Sequence, residues 1–148
     1  MSVPADVPFS TTLFVRDSCL CLHVQRAARA LARQFDVALR PVGVTSGQFS
    51  LLMALNRPHP PAMGQVAALL AMDRTTLTAN LKPLQRRGSI EVRPGENDKR
   101  QRVLALTPAG RGVLAAAVPI WLATHRAVEG LLGEASPDRL RADLMALS

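Results

Sequence analysis

Twelve residues, "VRPGENDKRQRV" from Val92 to Val103, hold out Lys99, Arg100 and Arg102 on a loop that also contains Pro94 and Gly95. A loop of this composition adds nothing to a core. Either it is solvated surface, or its cations meet something anionic. A second group lies just upstream in "DRTTLTANLKPLQRRG", where Arg74, Thr75, Thr76, Thr78, Lys82 and Arg86 supply hydroxyls and cations suited to phosphate oxygens. From Asp73 to Arg102 eight Lys/Arg stand against four Asp/Glu, so +4 of the chain's net +7 sits in thirty residues. A third group, "DSCLCLHV", offers Cys19, Cys21 and His23: soft ligands for zinc or copper(I), or thiols open to oxidation. Residues two apart do not share a helix face, so a metal there would need unwound backbone, and no metal is expected. No glycine-rich cofactor loop and no catalytic constellation appears, so neither an enzyme nor a cofactor is expected.

Composition limits the partners. With 148 residues the chain reads as one domain able to bury its own core. Apolar residues make up 48% and aromatics 3%, with many Ala and Leu, which favours packed helices over an all-β fold. A pI near 11.2 points to polyanions, either nucleic acid or an anionic membrane surface. No apolar run reaches the roughly 18 residues a membrane span needs. The start "MSVPADVPFSTT" lacks the pattern of a secretory signal. Two cysteines make no disulfide framework, so the expected location is the cytoplasm.

The elements that must position these groups follow from periodicity and stop signals. The first dozen residues read as a loose arm. Leu20, Val24, Ala27, Leu31 and Phe35 recur at helical spacing and predict a helix over about 17–39, stopped by Pro41 and Gly43. Thr45 and Gln48 form a capping box for a helix in "SGQFSLLMALN". "RPHPP" is a rigid turn before a helix over about 62–71. Asp73 caps a helix running to Arg87, with Gly88 as its stop. The strands "SIEV" and "LALT" flank the basic loop. Thr107 and Pro108 open a long helix to about Leu132, kinked at Pro119, and Ser136 with Pro137 opens the last one.

Projected at 100° per residue, Leu77, Leu81 and Leu84 fall on one stripe, while Thr75, Thr78, Ala79, Lys82 and Arg86 fall on the other. That second face has no acid, unlike an ordinary solvated helix. Ala67 in the preceding helix, Ala71 in the turn and Leu77 ten residues after Ala67 match helix-turn-helix spacing. A basic-tipped hairpin placed directly after makes the lobe a winged helix. Its second helix suits a major groove, and the wing suits phosphates or the minor groove alongside.

"DRTTLTANLKPLQRRGSIEVRPGENDKRQRVLALTPAG" resembles the MarR family of bacterial transcriptional regulators. The resemblance rests on its Asp-Arg-x-Thr-x-Thr start, Arg-Gly helix end, Asp-x-Arg wing and Leu-Thr-x-x-Gly junction. The likeness extends from about Asp17 to the C-terminus. It implies a homodimer that binds double-stranded DNA at a palindromic operator, usually as a repressor released by a small-molecule effector or an oxidant. It also implies groove contacts from Thr75, Thr78 and Lys82, a minor-groove Arg100, and an Asp98 that shapes the wing through an ion pair. Two positions depart from the family. Ala79 stands where a basic residue is frequent, and Pro83 interrupts the recognition helix, bending it or marking it as shorter.

The expected fold is thus mainly α with a small β-hairpin: a single domain 1–148, with a winged helix-turn-helix lobe at about 62–107. Terminal helices 17–40 and 108–148 would serve dimerisation, because Leu114, Val118, Trp121, Leu122, Val128, Leu131, Leu140 and Leu144 exceed what a small lobe needs. Cys21 occupies the place of the reactive cysteine in the organic-hydroperoxide-sensing branch. That branch surrounds its thiol with tyrosines, whereas this chain has none, and Phe35 and Ser46 stand where two are expected. Peroxide sensing through Cys21, with Cys19 beside it, and non-specific architectural binding of nucleic acid remain as alternatives.

Overall fold

The computed structural model describes residues 6–148 and is mainly helical. Its elements run α1 (Phe9–Ser18), α2 (Leu20–Leu39), a 3-10 turn (Arg40–Val42), α3 (Ser46–Leu55), α4 (Met63–Leu69), α5 (Arg74–Arg86), β1 (Ile90–Pro94), β2 (Arg102–Leu106), α6 (Pro108–Gly130) and α7 (Pro137–Ala146). No helix among the described residues is long and apolar enough to cross a membrane.

The expected arm is corrected. Residues 1–5 lie outside the described residues, but Phe9 to Thr12 already belong to α1. This helix buries none of its residues, so it lacks the one-sided apolar spacing by which helices are read from sequence. The single helix expected from Asp17 is also divided. Cys19 takes an extended conformation (φ −72°, ψ 108°), and its Sγ accepts the Leu22 N–H at 3.4 Å, capping α2 as a serine hydroxyl would.

Elsewhere the local signals hold. The Thr45 hydroxyl accepts the Gln48 N–H (3.2 Å) while the Gln48 side chain accepts the Thr45 N–H (3.0 Å). Gly43 adopts φ +75° to end the turn after α2, and Gly88 adopts φ +72° after α5. Thr107 and Ser136 cap α6 and α7. α6 passes through Pro119 as one helix and ends at Gly130, two residues earlier than expected.

The core gathers where α3, α4, α5, the hairpin and the first half of α6 meet. Leu39, Leu52, Leu77, Leu81, Leu84 and Leu104 are almost wholly enclosed. β1 and β2 pair antiparallel with Ile90 opposite Leu106, Val92 opposite Leu104 and Pro94 opposite Arg102. Proline is tolerated there because β1 is an edge strand. "RPHPP" is more than a turn. The Pro61 carbonyl accepts the Leu104 N–H at 2.9 Å and Ala62 bridges Val103, so the linker before α4 pairs with the other edge of β2. The wing is thereby tied to the helix pair.

The terminal helices differ from the lobe. α7 buries nothing, and Phe9, Phe14, Leu20, Leu131 and Met145 are each about two-thirds exposed or more. Arg141 ties α7 to α6 through Glu129 (2.8 Å) and also pairs with Asp138 (2.5 Å). Trp121 stacks between Phe49 of α3 (centroids 6.0 Å apart) and His125 (4.6 Å).

Candidate nucleic-acid interface

The start of α5 is built by Asp73, whose carboxylate accepts the Thr76 N–H at 2.7 Å and the Thr76 hydroxyl at 2.9 Å. Before it, α4 ends two residues sooner than expected. Ala71 takes φ +51°, a conformation that glycine usually supplies, and the Met72 N–H reaches back to the Ala67 carbonyl at 2.9 Å. This left-handed residue lets α5 turn away from α4, and the buried Ala67 keeps the two helices close.

Leu77, Leu81 and Leu84 anchor the inner face of α5 at 1% exposure or less. On the outer face Arg74, Thr75, Thr78, Ala79 and Lys82 line one shallow groove of about 350 Å³. Within the groove the Thr78 hydroxyl donates to the Arg74 carbonyl at 2.8 Å, which leaves its lone pairs for an incoming donor. Pro83 lies inside α5 without ending it, although the helix closes at Arg86, one residue before the expected end. Lacking an N–H, Pro83 leaves the Ala79 carbonyl without its helical partner on the groove side. Arg86 lies exposed in the last turn.

Thr76, expected among the contact residues, is held in the Asp73 cap. Arg87, part of the basic stripe, turns away from the groove: its Nη1 donates to the Gly43 carbonyl at 2.6 Å, fastening the end of α5 to the start of α3. Sequence spacing could not show this, because the partners are 44 residues apart.

The wing tip is closed by hydrogen bonds from Gly95 N–H to the Gln101 carbonyl (2.8 Å) and from Gln101 N–H to the Asp98 carbonyl (3.1 Å). A β-carbon on Gly95 would fall 2.6 Å from that Asp98 oxygen, so the turn requires glycine. The ion pair implied for Asp98 is not formed among the described residues. Its carboxylate instead accepts the Arg100 N–H at 3.0 Å, an aspartate turn that leaves the guanidinium free. Lys99, Arg100 and Arg102 are all exposed.

Cys19 and Cys21 are free thiols. The Cys21 Sγ accepts from Gln25 Nε2 at 3.3 Å, and the His23 ring lies 2.7 Å from the Cys19 carbonyl. Among the described residues no three His, Cys, Asp or Glu side chains converge to hold a metal ion.

A family model described as "MarR family" matches residues 42–101. The DNA-bound crystal structure of the transcriptional regulator MosR of M. tuberculosis is 38% identical; the match covers 88% of this chain and 93% of that one, with a TM-score of 0.79. The chain belongs to the MarR family. Among other relatives of this MarR chain, the HTH-type transcriptional regulator YwoH of Bacillus subtilis is 31% identical over 57% of it, and the transcriptional activatory protein BadR of Rhodopseudomonas palustris 31% over 64%. The match spans 61% and 55% of the length of those two proteins.

One property of the MarR lobe is testable through pH. The Thr76 N–H, and after it the Thr76 hydroxyl, hold the Asp73 carboxyl below its ordinary value of 3.8. A depressed folded-state value stabilises the fold fully above the ordinary one, and this stabilisation is lost as pH falls through the folded-state value. Asp73→Asn keeps a capping oxygen but not the titration. Thermal unfolding of the variant should therefore depend less on pH below about 4 than that of the parent. Superimposable acid limbs would remove this role for Asp73.

Proposed function

We propose that this chain is a sequence-specific double-stranded DNA-binding transcriptional regulator, acting as a homodimeric repressor released by a small-molecule ligand. The observation that carries the reading is the juxtaposition of two cationic features on one lobe. An acid-free outer face of α5 is anchored on buried leucines, and an exposed Lys99–Arg100–Arg102 tip projects from the hairpin that follows. Thr75, Thr78 and Lys82 would meet base edges and phosphates in the major groove, while Arg100 would reach the minor groove beside it.

Dimerisation is supported by the apolar surface that α1, α2, α6 and α7 leave uncovered in a single chain, including Phe14, Leu20, Leu122, Leu140 and Leu144. Two lobes joined through these helices would cover adjacent half-sites of a promoter and exclude other proteins from that stretch. An apolar cleft of about 470 Å³ between α3, α4 and α6, lined by Phe49, Met53, Leu70, Val118 and Trp121, suits the releasing ligand. A ligand there touches the helix pair and the long terminal helix at once, so it can change the angle between lobe and dimer core.

Selection of bound fragments from a genomic library tests the whole reading. The recovered site should be an inverted repeat with half-site centres about one duplex turn apart, roughly 34–36 Å. Its affinity should exceed that for random duplex by a factor of about a thousand or more at moderate salt. Equal affinity and equal salt slope on every duplex would make this an architectural binder instead.

A further inference from the structure

The linker after α3, strands β1 and β2 and the first turn of α6 border a cavity of about 160 Å³. Its floor includes Ala105 and Leu106, both buried, and its walls bring together Arg57, Arg93 and Arg111 with Asn56. Among the described residues no carboxylate lines it, although Glu91 pairs with Arg93 beside it. Two of the guanidiniums are held in place by single bonds: Arg93 Nε donates to Glu91 at 3.0 Å, and Arg111 Nη1 donates to the Leu106 carbonyl at 3.1 Å. Arg57 has no side-chain partner among the described residues.

Each guanidinium carries five N–H groups in a planar fork, so most of the donors around this cavity are unspent. Arg93 is already paired with Glu91, so the uncompensated charge comes from Arg57 and Arg111 on two separate elements. These repel each other until an anion enters, and the fork geometry matches two oxygens of a carboxylate or phosphate. The cavity has the volume of roughly five water molecules at ~30 Å³ each, enough for one such group with part of its hydration.

We infer that the Arg57–Arg93–Arg111 cavity is an oxyanion site, separate from the α5 groove and the wing tip. A phosphate-type oxyanion held there bridges the α3–α4 linker, the wing and α6, and so fixes the hairpin against the helices that carry it. The oxyanion comes either from a small dissolved anion or from a duplex phosphate outside the segment gripped by α5. The second source rests on the reading as a DNA-binding protein; the first does not.

The experiment has two arms, each run on the full chain, on Arg57→Gln and on Arg126→Gln. The Arg57 side chain makes no bond among the described residues, and Arg126 lies about 22 Å beyond Arg111 along α6 at 1.5 Å per residue, so its variant controls for lost charge. In the first arm, thermal unfolding is followed with inorganic phosphate or pyrophosphate at constant ionic strength. A rise in Tm that disappears in Arg57→Gln and persists in Arg126→Gln establishes the site with a free anion. In the second arm, the salt dependence of duplex binding is measured. A slope shallower by about one in Arg57→Gln alone establishes the site with a duplex phosphate. If neither anion raises Tm and the slope is unchanged, or no duplex binds, the inference is overturned. A phosphate effect without any duplex binding would sink the DNA reading and leave this one standing.

Discussion

Gly110→Ala should cost about 3 kcal/mol of stability, or on the order of 10 °C in Tm, because an added methyl in a well-packed place forces the backbone to move. Gly110 sits in the first turn of α6 directly against the backbone of Ser89. A β-carbon there would overlap the Ser89 carbonyl oxygen and lie 2.9 Å from its carbon. The junction cannot open easily. The Ser89 carbonyl accepts the Thr107 N–H at 3.1 Å, the Thr107 hydroxyl donates to the Gly88 carbonyl at 2.6 Å, and the Gly110 N–H donates to that same hydroxyl at 3.0 Å. Two residues on, Gly112 is exposed and a β-carbon there would meet nothing within 4 Å. Gly112→Ala should therefore stabilise by up to about 1 kcal/mol through helix propensity alone. Opposite signs in the same helix are the signature to look for in denaturant unfolding at one protein concentration. Equal effects would mean that the contact with Ser89 is not tight.

The second large effect separates the two halves of the proposed grip. Arg100→Ala should weaken binding to every duplex by roughly tenfold and make the salt slope shallower by about one. Thr78→Ala should instead leave the slope alone and lose about 1–3 kcal/mol of discrimination at particular base pairs. The Thr78 hydroxyl hydrogen is occupied by the Arg74 carbonyl, so the lost preference should be for a base presenting an amino donor. Competition binding against single-base variants of the selected site checks both. If the two substitutions behave alike, the wing and the helix do not divide the work as proposed.

The features legible in the sequence were those set by neighbours a few residues apart. Thr45 with Gln48, Asp73, Thr107 with Pro108, and Ser136 announce their helices because a cap bonds its own first turn. The alternation of Leu77, Leu81 and Leu84 with Thr75, Thr78 and Lys82 showed which face of α5 is buried, and the fold repeats it. Other features depend on distant partners or unusual residue types and left no local mark. α1 packs none of its residues into the core, so it lacks the pattern that reveals a helix. Cys19 caps α2 with a thiol rather than a hydroxyl. The pairing of Pro61–Ala62 with β2, the reach of Arg87 to Gly43 and the gathering of Arg57, Arg93 and Arg111 join segments dozens of residues apart. Asp98 shows a subtler limit: resemblance singled out the residue, but the bond it makes is to an amide rather than to a guanidinium.

The aromatic stack of Phe49, Trp121 and His125 has a practical consequence. Trp121 is the sole indole in the chain, and the ring beneath it belongs to α3 while its own backbone belongs to α6. Any hinging of α3 against α6 must slide or part the Phe49 and Trp121 rings. The molecule thus carries a built-in optical gauge, whose emission can follow that motion without a dye.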